Sequence, residues 1–297
     1  MTNNKKIAVV TLNYNKKDDC LSCLRSIYAS DCSNISVVVV DNNSSDGSAD
    51  AIASTYPNTP LIRNKQNVGV AKGRNMGWRY AKENFDSEIL IFLDDDVEVA
   101  PEYFSNVVRV FQDRSDIGII TAKAYVDWNT KIFCSVGLSV NFYTGLIYDI
   151  GRGQKDEGHH DTPCYRDACG GFAIAIRRDL FESAGGFDES YSPYGWEDAD
   201  LCLRARDMGY RTFYMPTAVV VHKGTKMGRD PKPAYERNKI KNYLLLLKRH
   251  TNIVQKLCCC IGVPLKGLYI IGEMVLTGHA RVITAQCRGF FEGLRTR

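Results

Sequence analysis

The chain has 297 residues, 44% of them hydrophobic and 24% charged, which is enough apolar material for a large core and excludes a disordered or fibrous protein. The net charge of +4 is unevenly spread: residues 237–297 hold eleven Lys and Arg against Glu273 and Glu292, hence +9, and the rest of the chain carries −5. An acidic body with a basic tail points to an anionic partner for the tail, and because that tail has no recognisable nucleic-acid-binding module, no nucleic acid is expected.

Lys5-Lys6 precedes an apolar stretch, but Ile7 to Leu12 is too short for the core of a secretion signal and suits a first strand, so the expected location is cytoplasmic. Asp18 to Ala29 has helical spacing of Cys20, Leu21, Leu24 and Ile27. Ile35 to Val40 is a second β-branched strand, followed by the turn Asp41 to Gly47. A helix of small residues, a short strand near Leu61-Ile62 and a helix over Val70 to Phe85 follow. Ile89 to Leu93 is another apolar strand, and the chain is helical in character from Pro101. Strands alternating with helices, the strands nearly all apolar, predict an α/β protein with a Rossmann-like, mainly parallel central sheet flanked by helices. Asp127 to Tyr165, rich in Gly, Tyr and His, reads as a loop or hairpin region. Strand character returns over Gly170 to Ile176, a helix over Asp198 to Met208, and strands over Arg211 to Met215 and Ala218 to Val221. Pro231 and Pro233 break the chain before a helix from Ala234 to Arg249. The expected division is a catalytic domain over 1–230, with a nucleotide half to about residue 100, and a basic C-terminal helical region over 231–297.

Leu257 to Leu276 is mostly apolar but contains Pro264, Lys266, Glu273 and three glycines, which makes a poor spanning helix. With basic residues on both sides it suits an interfacial helix or hairpin on an anionic membrane surface, or an amphipathic helix packed on the body or on the second subunit of a homodimer. The eleven cysteines are scattered, and the pair Cys20 and Cys23 has no matching second pair, so buried thiols are expected rather than a zinc site.

The chemistry gathers after strand ends, where ligands bind in sheets of this kind. Asp94-Asp95-Asp96 closes the strand from Ile89. Three adjacent acids repel one another unless a cation or hydrogen bonds hold them, and alternation along a strand turns Asp94 and Asp96 to one side. Two carboxylates there suit a hard divalent cation shared with substrate phosphates; a solvated acidic turn is the plainer alternative. Asp41, directly after a buried strand, can accept a hydrogen bond from a base imide or ribose hydroxyl, or simply cap a turn. The glycines and basic residues of Asn67-Val-Gly-Val-Ala-Lys-Gly-Arg-Asn75, with Gly69, Lys72 and Arg74 among them, allow a nucleotide to approach the backbone, or mark close helix packing. Glu197 and Asp198 open a helix, where the macrodipole favours carboxylates and a general base can sit. His222 follows a strand end and suits a nitrogen ligand or a phosphate partner, although a lone His is more often structural.

Together, VTLNYN (10–15), VVVVDNNSSDGS (37–48), NVGVAKGRNMG (67–77), ILIFLDDDVEV (89–99), CGGFAIAIRRDLFESAGGFDE (169–189) and YGWEDADLCLRARDMGY (194–210) resemble the family two glycosyltransferases with a GT-A fold, in particular the branch containing bacterial rhamnosyltransferases. The resemblance spans about residues 5 to 250. It implies an inverting transfer of one sugar from a nucleotide-diphosphate sugar, dTDP-rhamnose first and a UDP-hexose or UDP-galactofuranose second, to a lipid-linked saccharide of surface polysaccharide synthesis. It implies Thr11, Asn13 and Asn75 lining the donor pocket, Asp41 on the base or ribose, and Asp94 and Asp95 near the ribose and diphosphate. It further implies Asp96 as the main ligand of Mg²⁺ or Mn²⁺ with His222 as an added contact, Lys72 or Arg74 on the diphosphate, and Asp198 as general base supported by Glu197.

A nicotinamide dehydrogenase needs G-x-G-x-x-G after the first strand, where this chain has Thr-Leu-Asn-Tyr-Asn. A sugar nucleotidyltransferase needs a Gly-rich basic loop there. A processive synthase adds transmembrane helices and a Q-x-x-R-W motif. A non-catalytic nucleotide-sugar-binding scaffold stays open, and nucleotide release from a donor distinguishes it.

Overall fold

The computed structural model describes residues 5–224, 232–260, 262–263, 267 and 280–296. Its centre is a ten-stranded sheet. The first half is built from β1 (Ile7–Asn13), α1 (Lys17–Tyr28), β2 (Ile35–Asp41), α2 (Ser48–Thr55), β3 (Leu61–Arg63), α3 (Val70–Asn84) and β4 (Ile89–Asp94). The second half adds β5 (Val97–Val99), α4 (Tyr103–Asp113), β6 (Ile117–Tyr125), β7 (Phe133–Ser135), the hairpin β8 (Leu138–Asn141) and β9 (Leu146–Asp149), then β10 (Cys164–Arg166), β11 (Ala173–Arg177), α5 (Arg178–Ser183), α6 (Glu197–Asp207) and β12 (Arg211–His222). Among the described residues, α7 (Pro233–His250), a helical segment over 253–260 and α8 (Ala280–Arg295) follow.

The strand order is β10-β12-β6-β11-β4-β1-β2-β3, with β5 on β12 and β7 on β6. β3, β2, β1 and β4 pair in parallel, β6 and β12 share their direction, and β11 and β10 oppose it. The sheet is therefore mainly parallel, with the antiparallel β11 inserted between its halves. Alternation along the strands sorts the core into two layers. Ile89, Ile91 and Leu93 of β4 face α1 and α4 on one side, and Leu90 and Phe92 face α3, α5, α6 and α7 on the other. Both faces being covered explains why these strands are apolar throughout.

Three differences from the sequence expectations have physical causes. β6, buried along its whole length, lies where no strand was expected. Arg211 to Val221 is one strand rather than two: its pairing with β6 shifts register between Met215 and Val219, so Pro216 sits in a bulge, where a residue without N–H is tolerated. In the C-terminal region, α7 belongs to the body although the expected division sets residues 231–297 apart. Tyr243 to Leu247 of α7 are buried in the second layer of the core, and Asn242 donates to the carbonyls of Tyr191 at 2.6 Å and Tyr194 at 2.8 Å. α8 runs beside α7: Lys248 Nζ reaches the last carbonyls of α8 at Gly293 (2.9 Å) and Leu294 (2.7 Å). Most of Leu257 to Leu276 lies outside the described residues. Among the described residues no helix is long and apolar enough to cross a membrane.

Candidate active site

The carboxyl ends of three adjacent strands form the floor of the site. Asn13 of β1 stands in register with Asp41 of β2, and Leu12 with Asp94 of β4. Thr11, Asn13 and Asp41 are buried. Asn13 Nδ2 donates to Asp41 Oδ1 at 2.7 Å and to Ser48 Oγ at 2.9 Å, while Asp41 Oδ2 accepts from the Ser44 amide at 3.0 Å. Asp41 is thus held rigidly after its strand, with its turn closed by its own carboxylate.

β4 ends at Asp94, and Asp95 and Asp96 form the turn into β5. The turn nevertheless brings Asp94 and Asp96 together with His222, at the end of β12: one ligand atom from each lies within 4.8 Å of the others. Asp96 Oδ1 is 3.2 Å from His222 Nε2. Asp95 points away and accepts from the Tyr14 amide at 3.0 Å. Lys16 completes the cluster, 3.2 Å from Asp95 Oδ1 and bonded to Asp96 Oδ2. Burial opposes the charge on Asp96, but His222 and Lys16 hold its carboxyl well below the usual range. Burial also opposes the charge on His222, yet the Asp96 carboxylate bonded to it keeps its pKa up, at about 10. Asp95 behaves oppositely: burial pushes it up to about 7 despite Lys16 and the Tyr14 amide. The His222 ring is fixed from both sides, stacked on Phe172 at 4.8 Å between centroids and with Nδ1 3.6 Å from Cys134 Sγ.

Two carboxylates and an imidazole, already gathered and balanced by cationic side chains, fit a hard divalent ion. Gly224 closes over them, and a Cβ there would lie 1.9 Å from Asp96 Oδ2.

Arg74 joins this cluster to the second group of acids. It is buried, with Nη2 2.5 Å from Asp94 Oδ1 and 2.7 Å from the Gly171 carbonyl, and Nη1 3.5 Å from Glu197 Oε1. Arg74, one of the two residues expected on the diphosphate, is thus a bridge between acids. Glu197 and Asp198 open α6 immediately after Trp196, which holds a left-handed φ of 75° that bulky residues rarely adopt. α7 holds this bend: Trp196 Nε1 donates to the Lys239 carbonyl at 2.9 Å and its ring packs on Tyr243. Burial raises the carboxyl of Glu197 against the pull of Arg74. Burial, then the charge of Glu197, push Asp198 up to about 7. Asp198 Oδ1 accepts from the Ala199 amide at 2.8 Å, and Oδ2 lies against Gly171, where a Cβ would come within 3.0 Å of both Oδ2 and Arg74 Nη1.

The remaining expected residues fall in three places. Lys72 is exposed on α3. Asn67 and Gly69 brace the start of α3: Asn67 Oδ1 accepts from Asn42 Nδ2 and the Gly69 amide, both at 2.9 Å, and Gly69, at φ 85°, packs on Pro193. Asn75 is buried on the other side of α3 and clamps Phe187, donating to its carbonyl at 2.8 Å and accepting its amide at 3.0 Å. The sequence reading passed over Tyr14, Lys16, Cys134, Phe172 and Gly171. Lys16 carried one signal, its position in the turn just after β1, at the same sheet edge as the acids.

A sheet of this topology with acids at its carboxyl edge is the GT-A architecture of nucleotide-sugar-dependent transferases. The mannosyltransferase PcManGT from Pyrobaculum calidifontis, solved in complex with GDP-Man and Mn²⁺, superposes with a TM-score of 0.60 at 18% identity over 98% of this chain and 86% of its own. GalNAc-T7, solved with UDP, GalNAc and Mn²⁺, superposes with a TM-score of 0.63 at 17% identity over 84% of this chain and 48% of its own. The family model for glycosyl transferase family 2 matches residues 8–182, and one described as the N-terminal domain of galactosyltransferase matches residues 161–227. The chain belongs to glycosyl transferase family 2 and is a glycosyltransferase. It is 25% identical over 236 residues, 73% of this chain and 76% of the relative, to the N-acetylglucosaminyl-diphospho-decaprenol L-rhamnosyltransferase of Mycobacterium tuberculosis. It is also 25% identical over 165 residues, 52% of this chain and 60% of the relative, to the rhamnosyltransferase WbbL of Escherichia coli.

Proposed function

We propose that the protein transfers one sugar, with inversion, from a nucleotide-diphosphate sugar to a hydroxyl of a lipid-linked saccharide in surface polysaccharide synthesis. The observation that carries this reading is the bridge through Arg74, which holds an Asp94–Asp96–His222 cluster on one side and Glu197 with Asp198 on the other. A leaving group at the first and a base at the second is the layout that an in-line displacement requires. The similarity to two rhamnosyltransferases supports dTDP-rhamnose as donor, with a UDP-hexose or UDP-galactofuranose as the other arm of a screen.

Thr11, Asn13 and Asp41 hold the base and ribose, with Asp95 beside them, and Lys72 or Arg74 meets the diphosphate, Arg74 being the one that already reaches Asp94. Asp94, Asp96 and His222 would hold Mg²⁺ or Mn²⁺, which supplies positive charge against the diphosphate as it leaves. Asp198 takes the proton of the acceptor hydroxyl at Oδ2, since Oδ1 is occupied by the Ala199 amide. Glu197 and Arg74 position it. The basic C-terminal region meets an anionic membrane surface on the cytoplasmic side, where a lipid-linked acceptor is presented. A homodimer through the same region is the competing use of that surface.

The test is a donor screen by thermal shift with Mn²⁺, followed by nucleoside-diphosphate release with and without acceptor. Stabilisation by dTDP-rhamnose and acceptor-dependent release of dTDP are expected. If no donor stabilises the protein and none is turned over, the transferase reading of this site fails. Binding without turnover in the presence of acceptor marks a sensor or scaffold.

A further inference from the structure

We propose that the β8–β9 hairpin and the helical segment 253–260 form one lipid-facing surface, which sets the acceptor side of the site against an anionic bilayer. The proposal rests on the membrane reading above and adds to the basic C-terminal region a contact outside it, the β8–β9 hairpin.

Helix 253–260 carries an exposed apolar face. Ile253, Val254 and Leu257, spaced i, i+1 and i+4 and so sharing a face, are 71%, 55% and 63% exposed. Its other face is anchored: Cys259 is buried and donates to the Phe142 carbonyl at 3.0 Å, in the turn of the hairpin. Tyr243 Oη of α7 bonds to the Gly145 carbonyl in the same turn. Gly262 packs there too, where a Cβ would lie 2.7 Å from the Thr144 carbonyl. The helix and the hairpin tip are therefore one packed unit.

The outer face of the hairpin sets apolar residues of β9 beside polar ones of β8, Tyr148 opposite Ser139 and Leu146 opposite Asn141. Antiparallel strands with one buried face carry polar residues on the other. Here Leu138 and Ile147 are buried, yet the outward positions include Leu146 at 43% and Tyr148 at 58% exposure, with Tyr143 at 56% in the turn. Tyrosine suits a boundary where one end of the ring is apolar and the other wet. The charge that draws such a surface to anionic lipid lies in the same part of the chain, where residues 237–297 carry +9 and Lys256 is exposed beside the apolar face.

The position explains the use. The Leu138 amide donates to the Ala168 carbonyl and the Val140 amide to Asp167 Oδ2, both at 2.8 Å. Three residues beyond Ala168, Gly171 sits so close to the proposed base that a Cβ there would lie 3.0 Å from Asp198 Oδ2. A bilayer against the hairpin is thus separated by only a few residues of chain from the proposed base, as a membrane-bound acceptor requires.

The test is sedimentation of the full chain with vesicles of phosphatidylcholine alone or with phosphatidylglycerol, for wild type, Tyr143→Ser/Tyr148→Ser and Ile253→Ser/Leu257→Ser. Both double variants should lower partitioning onto the anionic vesicles by about tenfold, with unfolding midpoint and donor stabilisation unchanged. Hydrogen exchange of the wild type should slow at 138–149 and 253–260 when anionic vesicles are added, a result that does not depend on any variant folding. If the helix variant loses binding while the hairpin variant binds as wild type and 138–149 gains no protection, the shared surface is refuted and the C-terminal membrane reading survives. If the wild type binds neither vesicle, both fall. Equal binding to neutral vesicles, or variants that dissociate a dimer instead, overturns the proposal.

Discussion

The two acidic clusters that meet at Arg74 hold their charge in opposite ways. At the end of β4, Asp96 is buried but bonded to His222 and Lys16, and its carboxyl stays far below the usual range. At the start of α6, Asp198 is beside Glu197 with Arg74 as the shared cation, and burial and the neighbouring carboxylate raise it to about 7. The first cluster has nearly one cationic group for each carboxylate; the second has one Arg divided between acids on both sides. A carboxylate that stays ionised suits a cation and a charged leaving group. One that titrates near neutrality suits proton transfer. The difference follows from direct bonds to cationic side chains, not from the type of residue: Asp96 has two, while the buried Asp95, farther from Lys16, rises to about 7 as Asp198 does.

Breaking the second cluster at its base should have the largest effect. Asp198→Asn should lower the rate of nucleoside-diphosphate release in the presence of acceptor by about 10² to 10⁴ while leaving nucleotide affinity within a few-fold. Near-wild-type turnover would remove Asp198 from the chemistry. Breaking the bridge comes next. Arg74→Met leaves Asp94 and Glu197 facing one another without a cation, and should cost about 3–5 kcal/mol in urea unfolding, against a smaller loss for Arg74→Lys. Equal losses for the two variants would mean that packing, not charge, is what Arg74 supplies.

Breaking the first cluster tests its distinct role. Asp96→Ala should abolish the calorimetric signal for Mn²⁺ without moving the pH profile of Asp198, and an unchanged titration would take Asp96 out of the metal site. The smallest effect is on pH. Because Asp198 must be ionised to accept a proton, kcat should fall about tenfold per unit below a midpoint near 7. The stability linkage has the other sign: with its folded pKa above the unfolded value, Asp198 favours the folded state at low pH, and this contribution is lost as pH rises through 7. A rate profile flat from pH 5 to 8 would dissolve the contrast between the clusters.

Much of the first half was legible in the sequence, because its strands are continuous apolar runs and its helices have regular spacing. β1, β2 and β4 each run one residue further than their apolar core, to Asn13, Asp41 and Asp94, so the polar residue that ends the strand is also the one the site uses. The second half was less legible. β6 mixes its apolar residues with Gly118, Thr121 and Lys123 and so lacks the continuous apolar run of β2 or β4, and Pro216 lies between two strand-like runs where a bulge keeps one strand. Along the chain, Asp94, Asp96, Glu197, Asp198 and His222 can be picked out as acids and a histidine after strand ends or at a helix start. Only the tertiary structure decided which of them come together, Asp94 and Asp96 with His222, and Asp94 and Glu197 on Arg74. Arg74 looked like a phosphate contact because its neighbours are glycines and a lysine, but helical periodicity turns it inward, away from the exposed Lys72. Its partners Asp94, Gly171 and Glu197 come from three separate segments. The sequence by itself determined the class of protein and the identities of the acids, since these depend on local pattern and residue chemistry. Their charge states depend on burial and on cations brought from far along the chain, and those exist only once the sheet has closed.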